Sequence, residues 1–545
     1  MAADTEQKSA ARGLESEWLL SQSTRGASST NLSEQLPAIS TCTSTTDATM
    51  PGGCPTLYGI NDIASQNIKY AEADSVATIT ILAQETKRLV RNSIPIILAY
   101  ILQYSSTFIN IYVLGHIGPD ELAASGLVNM TIFVVAYSPS IGLAVALETL
   151  CSTAFTASQD KTLVGFHLQR GIIAVTAYFL CISPVLWYLE TILLWLNQDP
   201  HIAMLCGSFM RVNMAGLLPW MYYECAKCFL QAQEIMYASI NILLVIAPIQ
   251  VIASYLFVWS SVLGFGFLGA AAASVLTNWL MLAAIVLYVR CSVARHAWGG
   301  WTIQAFKTMP QYFQLAFPSM IMLCAEWWIL DLVVLASSYL GSTTLAAQGI
   351  IINTCGFAYQ FSDGVSVAVC NRVGNLLGQA RVRRARLTVW LGISAGVYIG
   401  VATIVLATFV GSWWGRIYSN DKEIVAMVAV LISACAIFQM LDAVNSVASG
   451  VLRSLGRQYV GALINFVAYY LVGFPIALYL TYGRPHAGAV GLWYGIGAGV
   501  GLTVLMQLLI FARTNWRNEV QNCMVRVSED SLAFANNCIE DEDED

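Results

Sequence analysis

Charged residues are scarce in this chain. Asp, Glu, Lys and Arg make up 11% of its 545 residues, whereas a soluble globular domain carries about 25%. Hydrophobic residues make up 57%, and the mean hydropathy is +0.62. This composition excludes an ordinary soluble protein and predicts a polytopic membrane protein. The formal net charge of −6 comes largely from the tails, including the run Glu540–Asp545, so it says little about partners.

Several functional signatures are also missing. No Gly-x-x-x-x-Gly-Lys-Ser/Thr motif occurs, which disfavours an ATP-driven pump. The sequence also lacks a stripe of basic residues that would indicate binding to nucleic acid. The 14 cysteines are scattered and show no metal-binding spacing; Cys225 and Cys228 form a lone CxxC, and buried apolar packing is the better interpretation. No nucleophile–base or metal cluster emerges. We therefore expect no enzyme, no metal, no cofactor and no nucleic-acid partner.

Apolar segments follow one another from about residue 90, each near the 20 residues that a membrane-spanning helix needs. Residues 1–88 are rich in Ser, Thr, Ala and Gln, lack a signal-peptide core and predict a disordered cytoplasmic tail. The sequence thus predicts an all-α polytopic membrane protein with about twelve transmembrane helices. The approximate spans are 92–114, 122–148, 169–194, 203–230, 238–260, 266–289, 314–340, 345–369, 386–410, 425–450, 459–481 and 489–512.

Lys and Arg residues are distributed unequally between the two sides of these spans. Most lie on the side that holds both termini, whereas Arg416, Lys422 and Arg484 lie on the other. Positively charged loops are retained in the cytoplasm. We therefore expect both termini to be cytoplasmic.

The two halves of the chain repeat each other. Pro95 and Pro318 occupy equivalent positions, and the segment Gly118–Gly126 matches Gly341–Gly349. Two six-helix units of the same orientation imply a pseudo-symmetry axis along the membrane normal, with a binding site between the repeats. The predicted domains are the N-terminal tail, an N-terminal lobe at 89–295, a cytoplasmic linker at 296–312, a C-terminal lobe at 313–512 and a cytoplasmic acidic tail at 513–545.

Acidic residues occur inside the predicted spans. Glu326 lies in the apolar stretch Gln314–Leu340, Asp331 follows it, and Asp442 lies in the span 425–450. An isolated charge at the bilayer centre costs roughly 2.5–3.5 kcal/mol, so such acids often mark an ion or substrate pathway. A carboxyl group in a low-dielectric cavity resists ionisation, which makes each a candidate proton carrier or counter-charge to an organic cation. A neutral acid that only holds helices together is the alternative.

Several short motifs follow one another along the predicted helices: Gly115–Gly118, Glu121–Ser125, Ala146–Cys151, Glu326–Trp328, Leu345–Gln348, Val373–Gly378 and Gly450–Arg453. Their order and spacing resemble the multidrug and toxic compound extrusion (MATE) transporters, in their eukaryotic branch, and the segment Val164–Arg170 is similar to fungal members. The resemblance covers about residues 90–512 and implies two six-helix lobes around a central cavity. It also implies alternating access and export of organic compounds against protons or sodium.

The resemblance assigns roles to these acids. Glu326 and Asp331 match acidic residues of the family's seventh helix, and Asp442 matches an acid of the tenth. Through the internal repeat, Glu326 corresponds to Gln103 and Asp331 to Phe108. The N-terminal lobe thus lacks this acid pair, which favours proton handling in the C-terminal lobe.

One position departs from the pattern, because Asn353 stands where some animal relatives carry a glutamate. Asn353 cannot titrate, and Asp363 is a candidate to replace that charge. Tyr104, Tyr137, Trp327 and Tyr359 are candidate aromatic contacts for flat cations, although packing explains many aromatics at membrane depth. The full predicted cavity-lining set is Gln103, Tyr104, Tyr137, Trp327, Gln348, Asn353, Tyr359, Asp363 and Asn445.

Other charged residues favour structural roles. Glu148 and Glu224 lie near predicted cytoplasmic helix ends, where interfacial solvation or helix-end contacts explain them. Glu190 and Arg211 lie near the opposite boundary, where they can pair or extend to the interface. In the N-terminal tail, the segment Glu15–Leu20 resembles an acidic dileucine sorting signal toward a vacuole or lysosome.

We therefore predict a secondary antiporter that exports small organic compounds in exchange for protons, with the bilayer, protons and its substrate as partners. We expect a monomer in the plasma or vacuolar membrane. Two alternatives remain open. One is a flippase for a lipid-linked substrate, which needs basic residues for phosphate and is disfavoured by the acidic spans. The other is a non-transporting receptor or sensor with a transporter-like fold.

Overall fold

The protein is helical throughout the part that the structure, a computed structural model, describes: residues 77–260, 264–418, 421–484 and 486–542. The tail prediction for residues 1–76, with its sorting signal, lies outside this part. The main helices are α1 Thr78–Gly115, α2 Pro119–Ala157, α3 Thr162–Trp187, α4 Pro200–Ala232, α5 Tyr237–Trp259, α6 Phe267–Cys291, α7 Met309–Ser338, α8 Ser342–Gly378, α9 Val382–Tyr418, α10 Lys422–Ser454, α11 Gln458–Tyr482, α12 Ala489–Arg513 and α13 Trp516–Glu542.

Within the described ranges, ten of these helices are long and apolar enough to cross a membrane. The more polar α1 and α8, of 38 and 37 residues, complete the predicted twelve. The first helix begins at Thr78 rather than at residue 89, so the end of the predicted disordered tail is helical. An ion pair between Glu85 and Arg372 fastens this part of α1 to α8. We call the side of the molecule that holds α13 the basic side, because most Lys and Arg residues lie there.

Equivalent glycines start the last helix of each repeat. Gly266 before α6 has φ +58° and ψ −129°, and Gly488 before α12 has φ +60° and ψ −145°. A residue with a Cβ atom rarely adopts this conformation. The shared geometry reflects the internal repeat seen in the sequence.

We expect Gly488→Ala to lower the free energy of unfolding by about 1–3 kcal/mol, because alanine is strained at this backbone conformation. A denaturant titration of the purified protein measures the change. Gly497→Ala is the matched control within α12, since an added Cβ there meets nothing within 4 Å. Equal stability of the two variants would contradict the role of the backbone conformation.

Two helices contain π-helical segments beside prolines. In α2 the segment is Phe133–Tyr137, before Pro139, and in α11 it is Phe466–Gly473, before Pro475. Proline lacks an N–H group and breaks the regular hydrogen-bond ladder, and π-helical turns are frequent at functional sites. Both segments lie on helices that contact the seventh helix, which carries Glu326.

Two hydrophobic cores define the lobes, but the basic-side ends of α1 and α7 cross between them. Leu89 of α1 packs in the core of α7–α12. Met309 and Tyr312 of α7 pack in the core of α1–α6, where the Tyr312 hydroxyl donates to the Leu143 carbonyl at 2.8 Å. The lobe boundary predicted at residue 313 therefore cuts through a helix that both lobes share.

Small residues bring the lobes together on the basic side. A Cβ atom at Gly364 would collide with Ile97, and one at Gly374 with Ser152. Nearer the opposite side, Gly126 and Gly349 have no atom within 4 Å of an added Cβ. Small residues allow helices to approach closely in a membrane. The lobes are thus in close contact on the basic side.

The predicted acidic tail is a helix, α13, over most of its length. Its Glu519 pairs with Arg457 of the C-terminal lobe. Its Asp530 accepts a hydrogen bond at 2.9 Å from Arg170 of the N-terminal lobe. Beneath α13 lies a cavity of about 660 Å³, lined by residues of α2, α3, α7 and α13. This helix therefore contacts both lobes on the basic side.

Candidate functional site

Three carboxyl groups from three helices come together inside the C-terminal lobe. Glu326 of α7 and Asp442 of α10 are 8% and 6% exposed, and they are close enough to interact electrostatically. Asp363 of α8 interacts with both. We call these three residues the acid cluster. The sequence analysis gave Glu326 and Asp442, together with Asp331, as candidate proton carriers, and it gave Asp363 only as a substitute for a missing charge.

A chain of amides orients the groups beside Glu326. Asn445, one turn after Asp442, lies within hydrogen-bonding reach of the Glu326 carboxyl group. Its amide donates to the Tyr469 hydroxyl at 3.0 Å and accepts from Gln507 Nε2 at 3.2 Å. Because both ends of the Asn445 amide are held, its orientation is fixed. Glu326 Oε1 is buried without a hydrogen-bond partner among the described residues, so this oxygen remains available for a proton or a ligand.

The helix that carries Glu326 is held by α11. Asn465 Nδ2 donates to the Met322 carbonyl at 3.0 Å, and the Tyr470 hydroxyl donates to the Ala325 carbonyl at 3.2 Å. Asn465 immediately precedes the π-helical segment of α11, and Tyr470 lies within it. Rearrangement of this segment would move the backbone immediately before Glu326.

Aromatic rings next to the acid cluster bridge the lobes. The Trp327 ring stacks on Phe133 of α2 with centroids 5.1 Å apart and meets the edge of Tyr359 at 6.3 Å. Trp328 Nε1 donates to Ser138 Oγ at 3.0 Å. Two predicted cavity aromatics, Trp327 and Tyr359, thus lie beside Glu326 at the interface between lobes.

Other predicted residues lie apart from the cluster or in the N-terminal lobe. Asp331 faces α11, where it interacts electrostatically with Tyr470, and its Oδ2 is buried without a partner among the described residues. The fully buried Gln348 accepts from Trp493 Nε1 at 3.2 Å inside the C-terminal lobe. Gln348 thus packs between α8 and α12.

Three predicted polar or aromatic residues remain. The side-chain amide of Asn353 donates to the Gly349 carbonyl within α8 at 2.9 Å. The backbone carbonyl of Asn353 accepts from the Tyr104 hydroxyl at 3.4 Å. Asn353 therefore joins the lobes through its backbone. Tyr137 packs on Trp220 with ring centroids 4.0 Å apart, inside the N-terminal lobe.

Buried ion pairs extend from the acid cluster to the N-terminal lobe. Arg453 of α10 donates to Glu148 of α2 at 3.2 Å, and both side chains are at most 5% exposed. In α4, Lys227 pairs with Glu224, which also accepts from Gln103 Nε2 at 3.0 Å. Asp363 interacts electrostatically with Arg453 and Lys227. Glu148 and Glu224 are thus buried and paired, and the expectation of interfacial solvation is wrong for both.

A second set of ion pairs closes the basic side. Arg372 of α8 donates to both oxygens of Glu85 in α1, at 2.8 and 2.9 Å, and to Glu234 at 3.1 Å. Burial raises the pKa of Glu85, but the hydrogen bonds and charge of Arg372 outweigh it, so the pKa lies below its ordinary value. This pair connects the first turns of α1 to α8. At the opposite side of the molecule, Arg211 forms an ion pair with Glu190 at 2.8 Å. Pairing was one of the two arrangements expected for these residues from the sequence.

We expect Glu85→Gln to destabilise the protein by about 1.5–3 kcal/mol, because a charge-assisted hydrogen bond is lost. A carboxyl group with a lowered pKa contributes stability above its unfolded pKa, and loses it only as pH falls through the lowered value. The difference in stability between the variant and the wild type should therefore be equal at about pH 5.5 and pH 7.5. Thermal unfolding of both proteins measures this. A difference that grows with pH in this window would contradict the assignment.

The described residues contain no group of three or more His, Cys, Asp or Glu side chains that could hold a metal ion. Two six-helix repeats, with carboxyl groups buried inside the second of them, are the features of a multi-pass transporter of the membrane.

The comparisons with known proteins agree with this class. The MatE family profile matches residues 95–256 and 318–479, one match in each lobe. The chain belongs to the MatE family of transporters. It is similar to an uncharacterised transporter of Schizosaccharomyces pombe, with 37% identity over 80% of this chain and 81% of that protein. It is also similar to Multidrug and toxin extrusion protein 1 of Danio rerio, with 30% identity over 80% of this chain and 74% of that protein.

Among solved structures, the fold is similar to the eukaryotic MATE transporter AtDTX14. The TM-score is 0.76 with 28% identity, and the match covers 82% of this chain and 100% of that one. These comparisons support the fold and the family. They assign no role to the acid cluster.

Proposed function

We propose that this protein is a proton-coupled antiporter that exports small organic compounds by alternating access. The observation that carries the proposal is the acid cluster, in which Glu326 and Asp442 are buried and Asp363 is half-buried, next to aromatic rings at the lobe interface. Neighbouring carboxyl groups in a low-dielectric site cannot all ionise, so at least one binds a proton near neutral pH. An organic cation supplies the opposite charge and removes the need for that proton.

Competition between proton and substrate for one site is sufficient for antiport. The protonated cluster binds cations weakly, and a bound cation lowers the affinity of the cluster for a proton. One proton driven by two pH units sustains roughly a hundredfold substrate gradient. Asp331 is a second candidate proton site in this proposal, but its position facing α11 gives it a smaller role than Glu326.

The orientation of the protein in the membrane follows from the distribution of charge. We assign the basic side to the cytoplasm by the excess of Lys and Arg, so both termini are cytoplasmic. The basic side is closed by Arg372–Glu85 and Arg453–Glu148. With the lobes in contact on this side, a substrate site between them would open away from the cytoplasm, which is the state that releases an exported substrate. The protein would act as a monomer in the plasma or vacuolar membrane.

Flipping of a lipid-linked phosphate is the less favoured function. Such a site needs unpaired basic residues, whereas Lys227 and Arg453 are each paired with a glutamate. The name of the zebrafish relative, Multidrug and toxin extrusion protein 1, supports organic compounds as the substrate class.

Proteoliposomes with an imposed pH gradient test the proposal, with a panel of fluorescent organic cations as substrates. We expect accumulation that depends on the pH gradient and disappears when a protonophore collapses it. A matched sodium gradient without a pH difference is the control. Accumulation driven by sodium alone would contradict proton coupling, and no accumulation under either gradient would contradict cation export.

A further inference from the structure

The segment between the lobes is folded against α3. We call Ser292–Thr308 the inter-lobe linker. The backbone N–H of Thr302 donates to Gln169 Oε1 at 2.9 Å, and Arg170 Nε donates to Thr308 Oγ1 at 2.9 Å. Three of its small residues are fully or almost fully buried: Ala294, Ala297 and Ala305. The linker is therefore fixed on the N-terminal lobe, and its exposed side is a defined surface.

That exposed side is apolar. Val293, Trp301, Ile303 and Phe306 are 80%, 68%, 75% and 64% exposed. In a segment that faced water, the large apolar side chains would be buried and the small ones exposed. The observed arrangement is reversed, and it matches a surface that contacts lipid.

The same segment carries positive charge without negative charge. From residue 290 to residue 308 the sequence contains Arg290, Arg295 and Lys307 and no Asp or Glu, and all three basic residues are exposed. Among the described residues, neither Arg290 nor Arg295 forms an ion pair. The linker joins the basic-side ends of α6 and α7, where these two spanning helices end.

We propose that the inter-lobe linker is an interfacial anchor that binds anionic phospholipids of the leaflet on the basic side. Val293, Trp301, Ile303 and Phe306 insert at the level of the headgroups and upper acyl chains, where aromatic residues are favoured. Arg290, Arg295 and Lys307 contact the phosphate and carboxylate groups of the lipid. Since the linker is docked on α3, it ties the N-terminal lobe to the leaflet.

A fluorescent probe on the linker tests this without any transport substrate. Ile303→Cys is labelled with an environment-sensitive dye in a background where Cys42, Cys54, Cys181, Cys291 and Cys538 are replaced by serine. The protein is reconstituted in phosphatidylcholine vesicles containing nitroxide-labelled phosphatidylcholine or phosphatidylserine. We expect blue-shifted emission, quenching by both lipids, and several-fold stronger quenching by phosphatidylserine. Ser528→Cys on α13, exposed on the same side, is the control and should stay water-like and unquenched.

Neutral variants test the role of charge. Arg290→Gln and Arg295→Gln should each lower the preference for phosphatidylserine over phosphatidylcholine by about fivefold, while leaving the blue shift in place. Water-like emission from the Ile303 position would overturn the anchor. Equal quenching by the two lipids in wild type would overturn the anionic preference.

Discussion

Glu326→Gln should abolish proton-driven accumulation of organic cations while the protein still folds. Glutamine keeps the size and hydrogen-bonding capacity of the side chain, but it can neither release a proton nor supply a negative charge. Glu326 Oε1 has no partner in the described part of the chain, and the carbonyl oxygen of glutamine can still accept the hydrogen bond that Asn445 is placed to donate. In a vesicle with two pH units across the membrane, the wild type should sustain roughly a hundredfold gradient. The variant should equilibrate near a ratio of about one.

Two control variants locate the effect. Asp331→Asn removes an acid from the same helix that faces α11 instead of the acid cluster, and it should retain most pH-dependent accumulation. Glu326→Asp keeps the carboxyl group and should retain part of it. Full pH-driven accumulation by Glu326→Gln would contradict the role of this residue in coupling.

Arg453→Gln should destabilise the protein by about 3–5 kcal/mol, because removal of one partner from a buried ion pair leaves the other charge uncompensated. Glu148, the partner, is 2% exposed and belongs to the other lobe. The lobes should therefore separate more readily on the basic side, in addition to the lower free energy of unfolding. Cys370 is fully buried and contacts Glu148 and Arg453, so its rate of maleimide labelling should rise. Denaturant unfolding and labelling report the two effects separately.

Arg211→Gln provides the matched control. It breaks the Glu190 pair at the opposite side, where the two side chains are 42% and 29% exposed. An exposed pair contributes about 0–1 kcal/mol, and Cys370 labelling should not change. The double variant Glu148→Gln/Arg453→Gln should recover stability relative to Arg453→Gln alone. An unchanged labelling rate in Arg453→Gln would mean that this pair does not hold the lobes together.

The sequence predicted the helices and the repeat because both depend on local patterns. Apolar length identifies a spanning helix, and equivalent positions such as Pro95 and Pro318 are visible in the sequence itself. Glu326 could be found for the same reason, since a carboxyl group in an apolar run is unusual wherever the helix packs.

Pairings between distant residues could not be predicted. Arg453 and Glu148 are 305 positions apart, and a charge near a helix end gives no indication of whether water or another lobe covers it. The pair Glu224–Lys227 has the i, i+3 spacing of a helical ion pair, which was an available signal. The crossing of α1 and α7 between the lobes also depends on three-dimensional packing, as does the order in residues 78–88.

The most direct test of proton–substrate competition is the number of protons released when a substrate binds. Purified protein in weakly buffered detergent solution is titrated near neutral pH with a cation that it transports, while a pH indicator reports release. Competition at the acid cluster predicts about one proton released per cation bound by the wild type, and none from Glu326→Gln. Tight cation binding by the wild type without proton release would contradict the account.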